Sequence, residues 1–180
     1  MAIAKKKKRF FDVEIPIIHK TTQLLATEIK ELEGRIIKYD LTRILRGKNI
    51  LLNAKVKVKG EKATSTPIEI QLMSIFLKRM VRKGTDYAEG SFKTKTKDND
   101  VQIKFLLVTR RRVSRAVLNA LRKKAQEELI SYLSTSKTEE VFEDIMKNKL
   151  QKDLSVRLKK IYPLSLCEIR SFEIIDKKVE

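Results

Sequence analysis

Two side chains in this sequence could do acid–base or nucleophilic chemistry at neutral pH, His19 and Cys167, and each is the only one of its type among 180 residues. A metal centre built on imidazole or thiolate needs several such ligands together, so neither residue can found one. His19 lies beside Lys20 where an extended segment ends, which predicts a surface or loop residue. Cys167 stands two residues before Ile169 in another extended segment and is expected to be a small core residue. A lone cysteine also forms no intramolecular disulfide and suits a reducing compartment. The acidic group Glu139, Glu140, Glu143 and Asp144 falls where a helix should begin, and carboxylates there offset the macrodipole without any catalytic duty. Arg46-Gly47-Lys48-Asn49 has the Gly-Lys step of a phosphate loop, but Thr42 replaces the first glycine and Asn49 the magnesium-binding hydroxyl residue. No catalytic residue, metal site, cofactor or small-molecule substrate is expected, and the chain reads as a non-enzyme.

The chemistry that the sequence does carry is cationic. Lys and Arg number 41 against 23 Asp and Glu, a formal charge of +18. Such an excess opposes compaction, so an anionic partner is expected. Folded RNA answers that need, because each phosphate met by a Lys or Arg releases condensed counterions. The main concentrations are Lys5, Lys6, Lys7, Lys8 and Arg9 at the start, and Arg110, Arg111 and Arg112 where a strand should hand over to a helix. On that helix Arg115, Asn119, Arg122, Lys123 and Gln126 fall on one side. Arginine forks suit bidentate phosphate contact, and a helix N-terminus adds positive potential. Only 6% of residues are aromatic and tryptophan is absent, so recognition of backbone and shape is expected ahead of base stacking. No stretch approaches the roughly 18 apolar residues of a membrane span, and no apolar region follows the first lysines. A soluble, cytoplasmic protein with no membrane partner is the expectation.

These cations need a scaffold. With 42% hydrophobic residues, the chain can build one sizeable core. Residues 1–9 read as a disordered basic arm and 10–180 as a single α+β domain. Alternation over Phe11–Ile18 puts Phe11, Val13, Ile15 and Ile17 on one side, which predicts a strand, with Pro16 suggesting an edge. Residues 21–29, 34–41 and 48–60 are short, β-branched and punctuated by glycine, hence further antiparallel strands. After Pro67 the spacing of Leu72, Met73, Phe76, Leu77 and Met80 predicts a helix ended by Gly84. Residues 91–109 predict a hairpin turning at Asp98-Asn99-Asp100. Behind a Ser114 cap, Val117, Leu118, Leu121, Ala125, Leu129 and Tyr132 form a helical stripe. Ser136 with Glu139 suggests a capping box for the next helix. Leu150, Leu154, Leu158 and Ile161 continue the helical spacing until Tyr162-Pro163, and residues 166–175 close the chain as a strand. The expected total is about seven strands, mostly antiparallel, with three or four helices.

In order, the landmarks are the basic arm leading into Arg9-Phe10-Phe11-Asp12-Val13 with Pro16; Gly34-Arg35 before Tyr39 and Leu41; and Met80-Val81-Arg82-Lys83-Gly84-Thr85. Thr94-Lys95-Thr96-Lys97-Asp98 and the arginine junction follow, then Ile161-Tyr162-Pro163-Leu164 with Glu168-Ile169-Arg170. From about Lys7 to Ile175 the chain resembles the archaeal and eukaryotic small-subunit ribosomal protein family called S-three-A-e. The resemblance implies a barrel-like β core with attached helices, docked on ribosomal RNA at the platform near the messenger exit and the RNA 3′ end, with neighbouring ribosomal proteins as partners. Phe10 and Phe11 stand where the family often has an aromatic pair including tryptophan. The chain also stops soon after its last strand, which suggests an archaeal-like short form. Arg35, Arg82 and Lys83, inside these landmarks, join the residues expected on RNA; homo-oligomers are not expected. A free nucleic-acid-binding regulator or chromatin-like protein would use the same charge without a ribosomal place.

Overall fold

The computed structural model describes residues 7–45, 47–60 and 62–175. Among these residues eight strands and four helices follow one another as β1 (Arg9–Ile15), β2 (Lys20–Ala26), β3 (Ile36–Asp40), β4 (Ile50–Lys59), β5 (Lys62–Leu72), α1 (Ser74–Met80), β6 (Tyr87–Lys95), β7 (Asp100–Thr109), α2 (Arg115–Thr135), α3 (Thr138–Met146), α4 (Lys149–Leu158) and β8 (Leu164–Ile174). The class is α+β, as expected. The strands form one open sheet, in place of the barrel-like core of about seven strands. The additional strand is β5, which runs through Pro67, the residue read as leading into a helix. Pro67 has no N–H to give to a ladder. It falls after Thr64, where β5 pairs with β1, and before Glu69, where it pairs with β8. Helix α1 is correspondingly short.

The chain divides into two compact units, Met1–Tyr39 with Leu52–Ile68, and Asp40–Leu51 with Glu69–Glu180. In the first, β1 alternates as anticipated, with Val13 and Ile15 buried and Asp12 and Glu14 exposed. Its core joins Val13, Ala26, Leu32, Ile37, Val56 and Ala63, with Phe11 and Leu24 packed against them. The edge position suggested by Pro16 is not what β1 adopts. Pro16 lies just past the strand, opening a short 3-10 turn, while β1 pairs with β2 on one side and parallel to β5 on the other.

In the second unit β8 lies between β5 and β7, so the last strand is central. That position accounts for its imperfect alternation: Cys167, Glu168 and Ile169 are buried in succession, and the β7 pairing shifts register at Lys104/Phe105 and Val108/Thr109. The β6–β7 hairpin turns at the anticipated place. Its tip is tied to α3, with Thr96 Oγ1 2.8 Å from Thr138 Oγ1 and the Asn99 amide donating to the same hydroxyl at 3.3 Å. Phe142 of α3 meets Phe172 of β8 edge to face at 4.9 Å. Ser114 occupies the α2 cap position without a side-chain cap bond. Ser136 caps no helix start; it ends α2, and its hydroxyl donates to the Tyr132 carbonyl. The Glu140 carboxylate instead accepts the Lys137 N–H at 3.3 Å at the start of α3.

Candidate nucleic-acid interface

The arginine junction is held by two buried or half-buried residues that carry no positive charge. Strand β7 ends at Thr109, fully buried, and the next three side chains, Arg110, Arg111 and Arg112, are exposed. The Thr109 N–H donates to the Asp86 carbonyl at 2.9 Å, and its hydroxyl accepts the Asp86 N–H at 3.1 Å. That hydroxyl also lies 2.8 Å from the Asp86 carbonyl and 2.7 Å from the Arg111 carbonyl, either of which can take its single proton. The Asp86 carboxylate then accepts the Val113 N–H at 2.9 Å. The turn from β7 into α2 is therefore stapled at both ends to one aspartate.

The same aspartate brings in Arg82 and Lys83. After α1, Gly84 takes φ +86, a left-handed turn that a side chain disfavours. The Thr85 N–H and hydroxyl both donate to the Arg82 carbonyl, at 3.3 and 2.7 Å. This closes a tight loop directly before Asp86, so exposed Arg82 and Lys83 sit at the end of the hairpin that also presents Arg110, Arg111 and Arg112. Arg115 opens α2 beside them. Arg122 and Lys123 lie on the exposed side of the same helix, opposite the buried line of Leu121, Ala125, Leu129 and Leu133; Arg122 is seven residues beyond Arg115, roughly 10 Å along the axis.

Several cations elsewhere in the second unit are used internally. Glu128 binds Lys124 at 3.3 Å and also Arg157, whose hydrogen bond holds its carboxyl below the ordinary carboxylate value. Lys147 pairs with Glu143 at 2.6 Å, Lys149 with Asp144 at 3.8 Å and Arg170 with Glu89 at 3.2 Å. Of the acidic group of α3, Glu143 and Asp144 are thus taken up with local lysines, and Asp144 also with the Tyr132 hydroxyl, which donates to it. Arg110, Arg111, Arg112, Arg115, Arg122 and Lys123 form no ion pair among the described residues.

In the first unit Lys7, Lys8 and Arg9 are exposed, and Arg9 is already part of β1, opposite Ala26. Lys5 and Lys6 lie outside the described residues. Arg35 is exposed but partly engaged, its guanidinium donating to the Leu25 carbonyl at 3.1 Å. His19 is exposed in the turn after β1 with φ 50. Cys167 is buried, and that burial pushes its thiol up to about 12, the behaviour of a core residue. Among the described residues no three His, Cys, Asp or Glu side chains gather as metal ligands, and no helix is long and apolar enough to cross a membrane.

Sequence reasoning passed over Asp86 and Thr109, although one signal was present. Counting outward from the Asp98-Asn99-Asp100 turn pairs Tyr87 with Val108, and the next pair is Asp86 with Thr109. Replacing Asp86 with alanine is expected to lower stability by about 1–2 kcal/mol. It should also speed tryptic cleavage at Arg110–Arg112, while Asp86→Asn, which keeps an acceptor for Val113, should change cleavage much less. Equal cleavage rates in all three proteins would show that the carboxylate does not hold the turn.

Several archaeal proteins named small ribosomal subunit protein eS1 are similar to this chain. The one from Pyrobaculum arsenaticum is 28% identical over 155 residues, covering 83% of this chain and 70% of that protein. The one from Pyrobaculum neutrophilum is 30% identical over the same shares. The one from Nanoarchaeum equitans is 27% identical over 176 residues, 93% of this chain and 88% of that protein. With a family model matching residues 4–178, through the arginine junction and both units, the chain belongs to the Ribosomal S3Ae family.

Proposed function

We propose that this protein is a structural constituent of the small ribosomal subunit, binding ribosomal RNA through the arginine junction and the exposed face of α2. The observation that carries this reading is the set of exposed arginines at the end of the β6–β7 hairpin, without an ion pair among the described residues, in a chain of a ribosomal family. Arg82, Lys83, Arg110, Arg111, Arg112 and Arg115 would meet phosphates there, with Arg122 and Lys123 extending the track along α2. Lys5, Lys6, Lys7, Lys8, Arg9 and Arg35 would grip RNA from the first unit. The work is charge neutralisation and positioning, with no chemical step. By family resemblance the seat is the platform near the messenger exit and the RNA 3′ end, among neighbouring ribosomal proteins in cytoplasmic ribosomes.

Native extract sedimented in low salt tests the ribosomal part: the protein should travel with small subunits. If it stays at the top of the gradient while still binding RNA, a free nucleic-acid-binding regulator is the better account. For the residues, Arg110, Arg111 and Arg112 replaced together by alanine should weaken RNA binding across sequences and flatten its salt dependence. The log–log slope should fall by about one for each phosphate that the variant no longer neutralises. An unchanged slope would assign the junction to a protein neighbour.

A further inference from the structure

Of the seven phenylalanines, Phe10 alone is exposed, at 68% of its surface. The alternation of β1 causes this: Phe11, Val13 and Ile15 face the core, so Phe10 shares the outer side with Asp12 and Glu14. Outer positions of a half-buried strand ordinarily carry polar groups. Directly across the ladder stands Leu25, also outward and 43% exposed. The two make a small apolar platform on the hairpin surface, with the ring as its flat part.

Cations adjoin that platform. Lys7, Lys8 and Arg9 precede the ring and are exposed, and the Arg35 guanidinium is held at the Leu25 carbonyl, 3.1 Å away. Asp12, the next outward residue, is the one carboxylate adjoining it on β1. A purely apolar surface of another protein would use the ring and leave these cations without anionic partners. An unpaired nucleotide uses both parts, since its base has an apolar face and its flanking phosphates are anionic. A duplex offers the phosphates but hides its base faces.

We propose that Phe10, backed by Leu25, is a stacking platform for an unpaired RNA base, with Lys7, Lys8 and Arg35 on the flanking phosphates. The proposal rests on the RNA-binding reading above and adds the class of RNA recognised at this point. It also narrows the expectation that the chain reads RNA by backbone and shape: one ring is placed to read a base face.

The chain has no tryptophan, so Phe10→Trp introduces a single tryptophan, at the platform, that can be excited selectively over the tyrosines. A single-stranded adenylate oligonucleotide of roughly 12 nucleotides should quench its emission, whereas an RNA duplex of equal length and heparin, a polyanion without bases, should bind without quenching. In parallel, anisotropy of the labelled oligonucleotide should show about tenfold weaker binding for Phe10→Ala and for Phe10→Leu, and near-native binding for Phe10→Tyr. Duplex affinity should stay unchanged in all three. Native affinity in Phe10→Leu, or quenching equal for duplex and heparin, would overturn the proposal and make the platform a protein contact or a general polyanion surface. Binding by anisotropy without quenching would overturn it while leaving RNA binding intact. Absence of binding to either RNA would remove both readings.

Discussion

Replacing Lys48 with alanine is expected to lower stability by about 3–5 kcal/mol in urea unfolding. Lys48 lies in the segment before β4 and is 8% exposed. Its ammonium is 2.5 Å from Asn148 Oδ1 and 2.5 Å from Glu168 Oε2. Asn148 takes φ 57 at the start of α4, and Glu168 sits in the central strand β8. One lysine therefore joins a loop, a helix start and the middle of the sheet within the second unit. Without it Glu168 becomes a buried carboxylate with no cation.

Burial pushes the Glu168 carboxyl above its ordinary value, and the Lys48 charge opposes that rise. Removing Lys48 should leave the upward push unopposed. A folded-state pKa raised above the unfolded one means that the folded protein binds the proton more tightly. The associated stability is fully present below the unfolded value and is lost as pH rises through the folded one. Lys48→Ala should accordingly regain part of its lost stability on acidification, relative to the parent protein. The double change Lys48→Met with Glu168→Leu, which removes both charges and keeps volume, should come close to the parent. A single variant within about 1 kcal/mol of the parent, with no such pH response, would show that the pair is not buried in solution.

The second large effect is expected at Gly90. In β6 it lies opposite Phe105 of β7, and a Cβ on Gly90 would come within 2.3 and 2.4 Å of two Phe105 ring carbons. The ring occupies the space that the missing side chain leaves. Phe105 is 1% exposed and also meets Phe92 edge on at 6.3 Å, so it cannot move aside into solvent. Gly90→Ala should cost about 1–3 kcal/mol by overpacking, and Gly90→Val more, despite the higher strand propensity of valine. Phe105→Leu placed in the Gly90→Ala background should recover part of the loss, read as a thermal midpoint. If Gly90→Ala is as stable as the parent, the close approach is not a feature of the folded protein.

Local periodicity was the most legible level. Val56 and Val58 between Lys55, Lys57 and Lys59 announce a strand with one buried side, and Leu121, Ala125 and Leu129 announce the inner line of a helix. Backbone geometry alone sets which way each side chain points relative to its neighbours. Strand β5 was hidden because KATSTPIEIQL is polar and contains a proline, and its inclusion depends on pairing with segments far away in the chain. Phe10 and Phe11 were equally apolar on paper. Alternation with Val13 and Ile15 already set Phe11 on their side, and the packed structure added that Phe10 meets Leu25 on the outer one.

The candidate interface divides in the same way. Composition by itself determined that this chain carries a large positive excess, and the run Arg110-Arg111-Arg112 located one concentration of it, because charge and sequence order survive in any conformation. Tertiary structure decided which cations are available. It brought Arg82 and Lys83 to that run through Asp86 and Thr109, matched Lys124 and Arg157 to Glu128, and buried Lys48 against Asn148, 100 residues away, and against Glu168, farther still along the chain. Whether a lysine meets a phosphate or a carboxylate depends on distances of a few ångströms between groups remote in sequence, and those distances exist only once the sheet and helices have packed.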